Sequence, residues 1–394
     1  MKEDIEKIFK FYSAKSGIFA RKDFLQSSYI PEQLPHREGL VKQIAQMLAP
    51  SLRGECPSNL FVYGKPGTGK TAAVMFVGAQ LQNIAETKDI SVKVFYVNSG
   101  LKKVADTEYR LYAHLCRMMG EFIPDTGIPT NAVFERMTHL LDETPAVYLI
   151  VLDEVDILVS KSPDVIYTLS RINSELKKSK VAIVGITNDL NVMNGLDSRT
   201  KSSLSEEEIF FAPYNATQLY DILKERSETS FTAGVLDDSV LMRCSASAAK
   251  EHGDARRALE LLRISAEVAE RAASIKVTKE HVETAIQKSQ SDRVLTFVKM
   301  LPDHQKLVLR SLMEIDRPMA YTREIYEKYS ELTSSVGVKG LTMRRVLDIL
   351  GEFESAGIVD TKVISRGRYG RTKIIELQTV GNIKERVEKF LVEV

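Results

Sequence analysis

The glycine-rich stretch GKPGTGKT, Gly64 to Thr71, constrains the fold of this chain more than any other feature. An apolar run, NLFVY, comes directly before it, and the amphipathic pattern KTAAVMFVGAQLQNIAE overlaps its end and continues beyond it. A buried strand, a tight turn and a helix are therefore predicted in that order. A G-x-x-x-x-G-K-[ST] loop in this setting surrounds phosphates with backbone N–H groups at the positive end of a helix. The predicted phosphate-loop residues are Gly64, Lys65, Pro66, Gly67, Thr68, Gly69, Lys70 and Thr71.

Two side chains of this loop have specific predicted roles. Lys70 is expected to reach the β- and γ-phosphates, and the Thr71 hydroxyl is expected to ligate Mg²⁺. The predicted cofactors are therefore ATP or ADP together with Mg²⁺. The alternative is a glycine-rich turn that matches the motif by chance.

Polar residues end two further apolar runs. AVYLIVLDEVD delivers Asp153 as a second Mg²⁺ ligand and Glu154 as a general base that polarises the attacking water. VGITND ends in Asn188, which could orient that water or touch the γ-phosphate. The alternatives are acids that merely end a strand and an asparagine that forms a turn.

Length and composition limit the class of protein. The chain has 394 residues, enough for two or three domains, and a net charge of +1, so nucleic-acid binding would need a local basic patch. No apolar run is long enough to span a bilayer, and the N-terminal MKEDIEKIFKFY lacks a secretory core. We therefore expect a cytoplasmic protein with no membrane partner. Cys56, Cys116 and Cys244 are odd in number and far apart, which argues against disulfides and zinc and favours buried apolar filler.

The sequence pattern changes three times along the chain. Residues 1–20 form a short amphipathic lead-in with no obvious partner. Residues 21–212 alternate near-continuous apolar strands with helices, which predicts an α/β core whose parallel sheet lies between helices. Residues 213–292 are helical throughout, as expected of a small all-α domain, and residues 293–394 combine three helical patterns with two short strands.

The motifs together resemble those of an AAA+ P-loop NTPase. The phosphate loop, LDEVD, GITN and GDARRAL (253–259) are the four pieces, and the last implies a helical lid whose Arg256 contacts the γ-phosphate. Arg257 is expected to face elsewhere, because a helix turns about 100° per residue. Arg199 in LDSRTKSSL lies where this family carries an arginine finger, although some relatives place it at the position of Ser203. Arg199 is alternatively a structural or interface residue.

A longer set of segments is similar to archaeal origin-recognition initiators of the Orc/Cdc type. These are YIPEQLPHRE before the loop, and SRINSELKKSKVAIVGITND, KSSLSEEEIFFAPYNATQLYDIL and EHGDARRALELLRISAEVAE after it. The resemblance runs from about residue 20 to about residue 375. It implies that the adenine is bordered by Leu34, Pro35, His36 and Arg37, with Tyr214 as a less certain neighbour.

The C-terminal region resembles a winged-helix domain. Its third helix, GLTMRRVLDILGEFESAG, has apolar residues at helical spacing, so Met343, Val346, Leu347, Leu350 and Phe353 are expected to face the core. Thr342, Arg344 and Arg345 remain at the end that meets the major groove in such folds.

The stretch SRGRYGRTK (365–373) is predicted to be the tip of the wing. Arg366, Arg368, Arg371 and Lys373 would contact phosphates or the minor groove. Gly367 would permit a tight turn, and Tyr369 would pack on sugars. The alternative is a charged hairpin that keeps a sheet edge soluble. The resemblance to archaeal initiators also implies a weaker DNA contact at Lys102 and Lys103, because these initiators carry a helical insertion that touches DNA at this place. The alternative is a solvated lysine pair, which is common anywhere.

The resemblance implies a DNA replication initiator in the cytoplasm, associated with the nucleoid. Its partners would be duplex origin DNA, the replicative helicase and further initiator copies or paralogues. It implies slow hydrolysis and tight retention of ATP, with ATP and ADP as the two states of a switch. One alternative is a winged-helix transcription regulator with a vestigial ATPase core, and another is a motor-like AAA+ remodeller.

Overall fold

The computed structural model describes residues 17–26, 29, 31, 33–101, 105, 107–190, 192, 196–204, 206–315, 317, 319–355, 358–365 and 371–377. The chain divides into two compact units, Met1–Val282 and Glu283–Val394, which are described separately. Among the described residues no helix is both long and apolar enough to cross a membrane.

The first unit is built on five parallel strands. They are β1 (Asn59–Gly64), β2 (Val92–Asn98), β3 (Val147–Asp153), β4 (Lys180–Thr187) and β5 (Glu206–Phe211). Their order across the sheet is β2-β3-β4-β1-β5. Every residue of β3 is buried, because helices cover both faces of the sheet. The parallel sheet predicted from the apolar runs is thus confirmed.

In the part of the first unit that the structure describes, seven α-helices pack around this sheet. They are α1 (Glu38–Leu48), α2 (Lys70–Thr87), α3 (Glu108–Met118), α4 (Thr130–Glu143), α5 (Val155–Lys161), α6 (Asp164–Ser170) and α7 (Ser198–Leu204). Alternate residues of β1 enter opposite apolar layers, as the period of two in a strand requires. Leu60 and Val62 pack with α1 and α2, whereas Phe61 and Tyr63 join the layer of α3 to α6.

Among the described residues, three helices that lie within the lid follow the sheet. They are α8 (Ala216–Ser230), α9 (Asp238–Lys250) and α10 (Ala255–Arg271). The Asn215 side chain accepts a hydrogen bond from the Gln218 backbone while the Gln218 side chain returns one to Asn215, so a capping box begins α8. The helical prediction for this part of the chain is confirmed.

The described part of the N-terminal lead-in has a partner, contrary to expectation. Phe19 pairs with Phe231 in a short β-bridge, and their rings lie 5.2 Å apart. A turn of 3-10 helix, Lys22–Leu25, follows, and Lys22 Nζ lies 2.9 Å from Glu267 Oε1 on α10. The segment was not recognised from its sequence because its contacts are made to residues more than 200 positions away. We call residues 17–26 the N-terminal strap.

The second unit has the elements of a winged helix. Helix α11 (Lys279–Met300) runs into it, followed by α12 (Asp303–Glu314), α13 (Thr322–Val336) and α14 (Met343–Ser355). Three antiparallel strands have the order β6-β8-β7: β6 (Met319–Tyr321), β7 (Val359–Ser365) and β8 (Arg371–Leu377). The two longer strands were predicted, whereas β6, with three residues, was too short to show a pattern.

The apolar stripe of α14 differs from the prediction. Val346, Leu350 and Phe353 are buried as expected, together with Ile349. Met343 and Leu347 are 39% and 37% exposed, so the prediction that they face the core is wrong. They lie on one flank of the buried stripe, since residues 346, 349, 350 and 353 already fill the face that meets the core.

Of the cysteines, Cys116 and Cys244 are buried as predicted, and Cys56 is exposed. The prediction of a buried side chain is therefore wrong for Cys56, which lies in the loop between α1 and β1 and is reached by water. Its thiol lies 3.3 Å from the Val181 carbonyl.

Candidate nucleotide site and DNA interface

A cavity of about 420 Å³ opens in the first unit where the phosphate loop, the strand ends and the lid meet. The loop contributes Gly67 to Thr71, the sheet contributes the ends of β2, β3 and β4, and the lid contributes residues of α8 and α10. The carboxyl ends of parallel strands meet at one edge of a sheet, which is where open α/β sheets bind ligands. The predicted residues Asp153, Glu154 and Asn188 all line this cavity.

Lys70 lies in the wall of the cavity with three acceptors from the chain itself. Its ammonium donates to the carbonyls of Gly64 and Lys65 at 2.7 and 2.9 Å, and to Asn188 Oδ1 at 2.9 Å. Burial, assisted by the nearby Arg256 guanidinium, lowers the pKa of Lys70 to about 8. Asn188 therefore orients the lysine that is predicted to meet the phosphates.

The Asp153 carboxylate collects three donors. Oδ2 accepts from the hydroxyls of Thr71 and Tyr96, each at 2.8 Å, and Oδ1 accepts from the Glu154 backbone at 2.9 Å. Burial and the nearby carboxylate raise the pKa of Tyr96 to about 12, so its hydroxyl stays a donor. A hydroxyl and one carboxylate fit Mg²⁺, which keeps waters and phosphate oxygens as its other ligands. Sequence reasoning missed Tyr96.

Glu154 is held in an unusual backbone conformation. It follows Asp153 directly with φ of +54°, in the left-handed region that residues with a Cβ rarely adopt. Its carboxylate occupies the space beside Gly100, where a methyl group would come within 1.7 Å of Oε2. The strained turn and the glycine together place this carboxylate at the cavity, as the prediction of a general base requires.

The lid contacts the phosphate loop through the start of α10. Asp254 caps this helix by accepting from the backbones of Arg256 and Arg257 at 2.8 and 3.2 Å. The Ala255 N–H donates to the Gly67 carbonyl at 3.1 Å. Arg256 lines the cavity, whereas Arg257 turns away to the carboxylates of Glu251, just after α9, and Glu260 on α10, as its place on the helix predicts. The contact of Asp254 with the phosphate loop was not predicted, because a helix-capping residue in a sequence does not indicate which distant residue it packs against.

The predicted residues Leu34 and Pro35 also line the cavity. Tyr29 and Arg226 also line it, and the Arg226 guanidinium lies 4.5 Å from the centre of the Tyr29 ring. Burial lowers the pKa of Arg226 from its ordinary value. Neither residue was predicted, because the pair joins two segments about 200 residues apart.

His36 and Arg37 are not among the residues that line the cavity, and their role beside the base stays a prediction. His36 has φ of +63° and lies 2.8 Å from Asp221 on α8. Arg37 is buried, donates to the Thr68 carbonyl at 3.0 Å, and stacks 3.8 Å from the Tyr214 ring. Tyr214 itself lines the cavity, so Arg37 links the loop to the lid from behind.

Arg199 is on the surface. Its side chain is 83% exposed and lies 3.3 Å from Asp197, which caps α7 through the Thr200 N–H. Arg199 is not among the residues that line the cavity of its own chain. Exposure leaves it available to a neighbouring molecule.

In the second unit, Thr342, Arg344 and Arg345 are exposed at the start of α14. The turn before this helix is held by α13, because the Leu341 N–H donates to Tyr329 and Tyr326 donates to the Leu341 carbonyl. Arg345 lies 3.9 Å from both Asp348 and Glu352.

The wing is only partly described. Lys373 is exposed on β8. The predicted contacts Arg366, Gly367, Arg368 and Tyr369, the side chain of Arg371, and the pair Lys102 and Lys103 lie outside the described residues.

Three protein-family models match the chain. They are an AAA ATPase domain over residues 33–184, a Cdc6 AAA+ ATPase-type lid domain over 220–287, and a CDC6 C-terminal winged helix domain over 296–383. Each match falls within one predicted domain, and the domain boundaries themselves stay predictions.

The chain is 46% identical to ORC1-type DNA replication protein 1 of Archaeoglobus fulgidus over 373 residues, which cover 94% of this chain and 90% of that protein. It is also 46% identical to the ORC1-type DNA replication protein of Thermococcus kodakarensis, over 95% of this chain and 91% of the relative. The chain belongs to the ORC1-type DNA replication protein family. The predicted resemblance and the predicted fold class, an AAA+ core with a helical lid and a winged helix, are confirmed.

A solved ORC1-type structure agrees with the fold. The Aeropyrum pernix ORC1 protein, solved in complex with DNA, has a TM-score of 0.79 and 43% identity over 96% of this chain and 99% of its own. Cdc6p from Pyrobaculum aerophilum, at 24% identity and a TM-score of 0.60, shares the fold.

Proposed function

We propose that this ORC1-type protein is an ATP-dependent replication initiator that binds duplex DNA at origins. One observation carries the proposal: phosphate-loop, carboxylate and lid residues line one cavity in a chain that also carries a winged helix. The identity to ORC1-type relatives over nearly the whole chain supports it.

The nucleotide site works by positioning. The loop from Gly64 to Thr71 holds the phosphates with its backbone N–H groups, which every residue except Pro66 can supply, and Lys70 contributes the positive charge. Mg²⁺, when bound at Thr71 and Asp153, neutralises charge on the phosphate oxygens. Glu154 accepts a proton from the attacking water, and Asn188 orients Lys70. Leu34 and Pro35 border the adenine.

Arg256 makes the site sensitive to the third phosphate. It lies at the cavity on a helix whose first residue hydrogen-bonds to the phosphate loop. ATP therefore attracts the lid more strongly than ADP does, because only ATP has a γ-phosphate for Arg256 to contact. Hydrolysis assisted by Glu154 is slow, so the ATP state persists before it is converted to the ADP state. We assign the ATP state to loading of the replicative helicase, and Arg199 to contact with a neighbouring initiator.

DNA is bound mainly by the second unit. Thr342, Arg344 and Arg345 enter the major groove, and the wing residues Arg366, Gly367, Arg368, Tyr369, Arg371 and Lys373 follow the backbone or minor groove. Lys102 and Lys103 add a contact from the ATPase core.

The test combines nucleotide and DNA measurements on the full chain. Lys70→Ala should abolish ATP binding, and Glu154→Gln should retain binding and stop turnover. Sequencing the fragments of genomic DNA that the purified protein retains should show enrichment at a few loci, and the enrichment should depend on the bound nucleotide. If the retained DNA fragments were not enriched at particular loci, and if Lys70→Ala retained the same fragments as the wild type, a regulator with a vestigial ATPase core would be favoured instead.

A further inference from the structure

One flank of α14 carries an apolar stripe that the described residues leave partly exposed. Met343 and Leu347 are one helical turn apart and are 39% and 37% exposed, although the core side of the helix is filled by Val346 and its apolar neighbours. Side chains at i and i+4 lie on one face, so the two form a continuous surface. Burying them against a partner would remove apolar area from water.

Gly351 extends this stripe by another turn. A methyl group placed on Gly351 would meet no atom within 4 Å, so packing among the described residues does not demand a glycine here. Its backbone is helical, and glycine inside a helix costs about 1 kcal/mol relative to alanine. The glycine leaves room at this point of the helix for close approach by a partner from outside.

The charges around the stripe indicate which partner. Lys339 and Arg344 are exposed beside its N-terminal end, and the charge of Arg345 is offset by Asp348 and Glu352. A partner that presents both negative charge and small apolar groups would complement the N-terminal end of the stripe. The major groove of duplex DNA does so, because each thymine places a methyl group between two phosphate backbones.

We propose that Met343, Leu347 and Gly351 form a thymine-reading stripe. Met343 and Leu347 pack against thymine methyl groups, and Gly351 lets the sugar–phosphate wall of the groove approach the helix. The inference rests on the proposed binding of duplex DNA and deepens it, because it names the chemical group that gives base preference.

The first experiment removes only the methyl group. Duplexes selected by the full-length protein from a random-sequence pool are resynthesised with deoxyuridine in place of thymidine. Wild-type affinity should fall about threefold to fivefold for each contacted thymine, the effect of one lost buried methyl. Met343→Ala with Leu347→Ala should bind thymidine and deoxyuridine duplexes equally well.

The second experiment separates binding from folding. Gly351→Ala should raise the melting temperature, because alanine is the better helix former. It should nevertheless weaken binding to the selected duplex, by about tenfold, since the added methyl keeps the groove wall away. Gly39→Ala is the matched control, because Gly39 is also helical and a methyl there meets no atom within 4 Å, so DNA binding should not change.

The failures of the two proposals can be told apart. If the wild type selects duplexes whose affinity ignores the uracil exchange, or if Gly351→Ala binds as tightly as the wild type, the stripe proposal is overturned and DNA binding stands. If the wild type retains no duplex at all, both proposals fall. If the Met343 and Leu347 variants keep every DNA property but lose a protein contact, the stripe belongs to a protein partner and our assignment is wrong.

Discussion

At the scale of single residues, the most informative group is the Lys70 ammonium. It has three acceptors within the protein, yet none of them is a carboxylate, so burial is only partly offset. The pKa of Lys70 is consequently lowered to about 8, and a bound phosphate would raise it again. Proton uptake then accompanies nucleotide binding whenever the pH exceeds about 8.

ATP affinity should therefore fall as the pH rises above about 8. The decline should approach tenfold per pH unit, because one pKa unit corresponds to a factor of ten in an equilibrium constant. Titration calorimetry in buffers of different ionisation enthalpy would measure uptake of about one proton near pH 9 and much less near pH 7. Zero uptake near pH 9 would contradict the lowered pKa.

A second residue-scale prediction concerns Gly100. Gly100→Ala should displace the Glu154 carboxylate, because the new methyl group would lie 1.7 Å from Oε2. We expect turnover to drop by about a hundredfold with ATP affinity nearly unchanged, since misplacement of a reacting group by about 1 Å has this effect. Single-turnover hydrolysis with radiolabelled ATP separates the two quantities.

Gly39→Ala is the control here too, and it should leave hydrolysis as in the wild type. Normal turnover in Gly100→Ala would mean that Glu154 tolerates displacement and is not the base.

The site residues that could be predicted are those that sequence motifs place at the strand ends, and the others depend on tertiary packing. Lys70, Thr71, Asp153 and Glu154 lie in motifs at the carboxyl ends of β1 and β3, and the carboxyl ends of parallel strands meet at one edge of the sheet. Tyr96 gave no signal, because in an edge strand it reads as an ordinary apolar position. The pair Tyr29 and Arg226, and Asp254, depend on how the lid packs, which no local pattern encodes.

At the scale of elements, the N-terminal strap ties one wall of the cavity to the lid. Phe19 stacks on Phe231, and Lys22 pairs with Glu267, whose side chain is 17% exposed. The chain then continues to Tyr29 at the cavity. Movement of the lid would thus carry part of the cavity wall with it.

Weakening the strap should speed nucleotide release. We expect Phe19→Ala combined with Lys22→Ala to raise the dissociation rate of a fluorescent ADP analogue about tenfold, the effect of losing about 1.4 kcal/mol of aromatic and ionic contact. Stopped-flow displacement would measure the rate. Arg53→Ala, which breaks an exposed ion pair with Glu55 elsewhere, should leave the rate unchanged.

A rate in the strap variant equal to that of Arg53→Ala would mean that the strap does not hold the nucleotide.

The elements themselves were predictable to different degrees. Strands β1, β3 and β4 are apolar along their length and were read directly from the sequence. The stripe of α14 was misjudged at Met343 and Leu347, because periodicity identifies an apolar surface without saying whether the fold or a partner covers it.

At the scale of the whole molecule, two compact units share one chain, and the nucleotide cavity lies in the first. A ligand stabilises only the unit that binds it, by about 2.7 kcal/mol at a concentration of about one hundred times its dissociation constant. Differential scanning calorimetry should resolve two transitions, and ATP with Mg²⁺ should raise one of them alone.

Lys70→Ala should remove that shift and keep both transitions. A single transition that moves as a whole with ATP would mean that the two units unfold cooperatively.

Two separate structural requirements favour glycine at position 67. It opens the loop to phosphate, and it makes room for Asp254 of the lid, whose Oδ1 lies 1.6 Å from where a methyl group would stand. In a lineage that abandoned nucleotide, selection on Lys70 would relax at once, whereas the lid would continue to require Gly67. A descendant that no longer binds nucleotide should therefore lose Lys70 long before Gly67. The order in which the two residues are replaced would show whether nucleotide binding was lost before the packing of the lid on the loop.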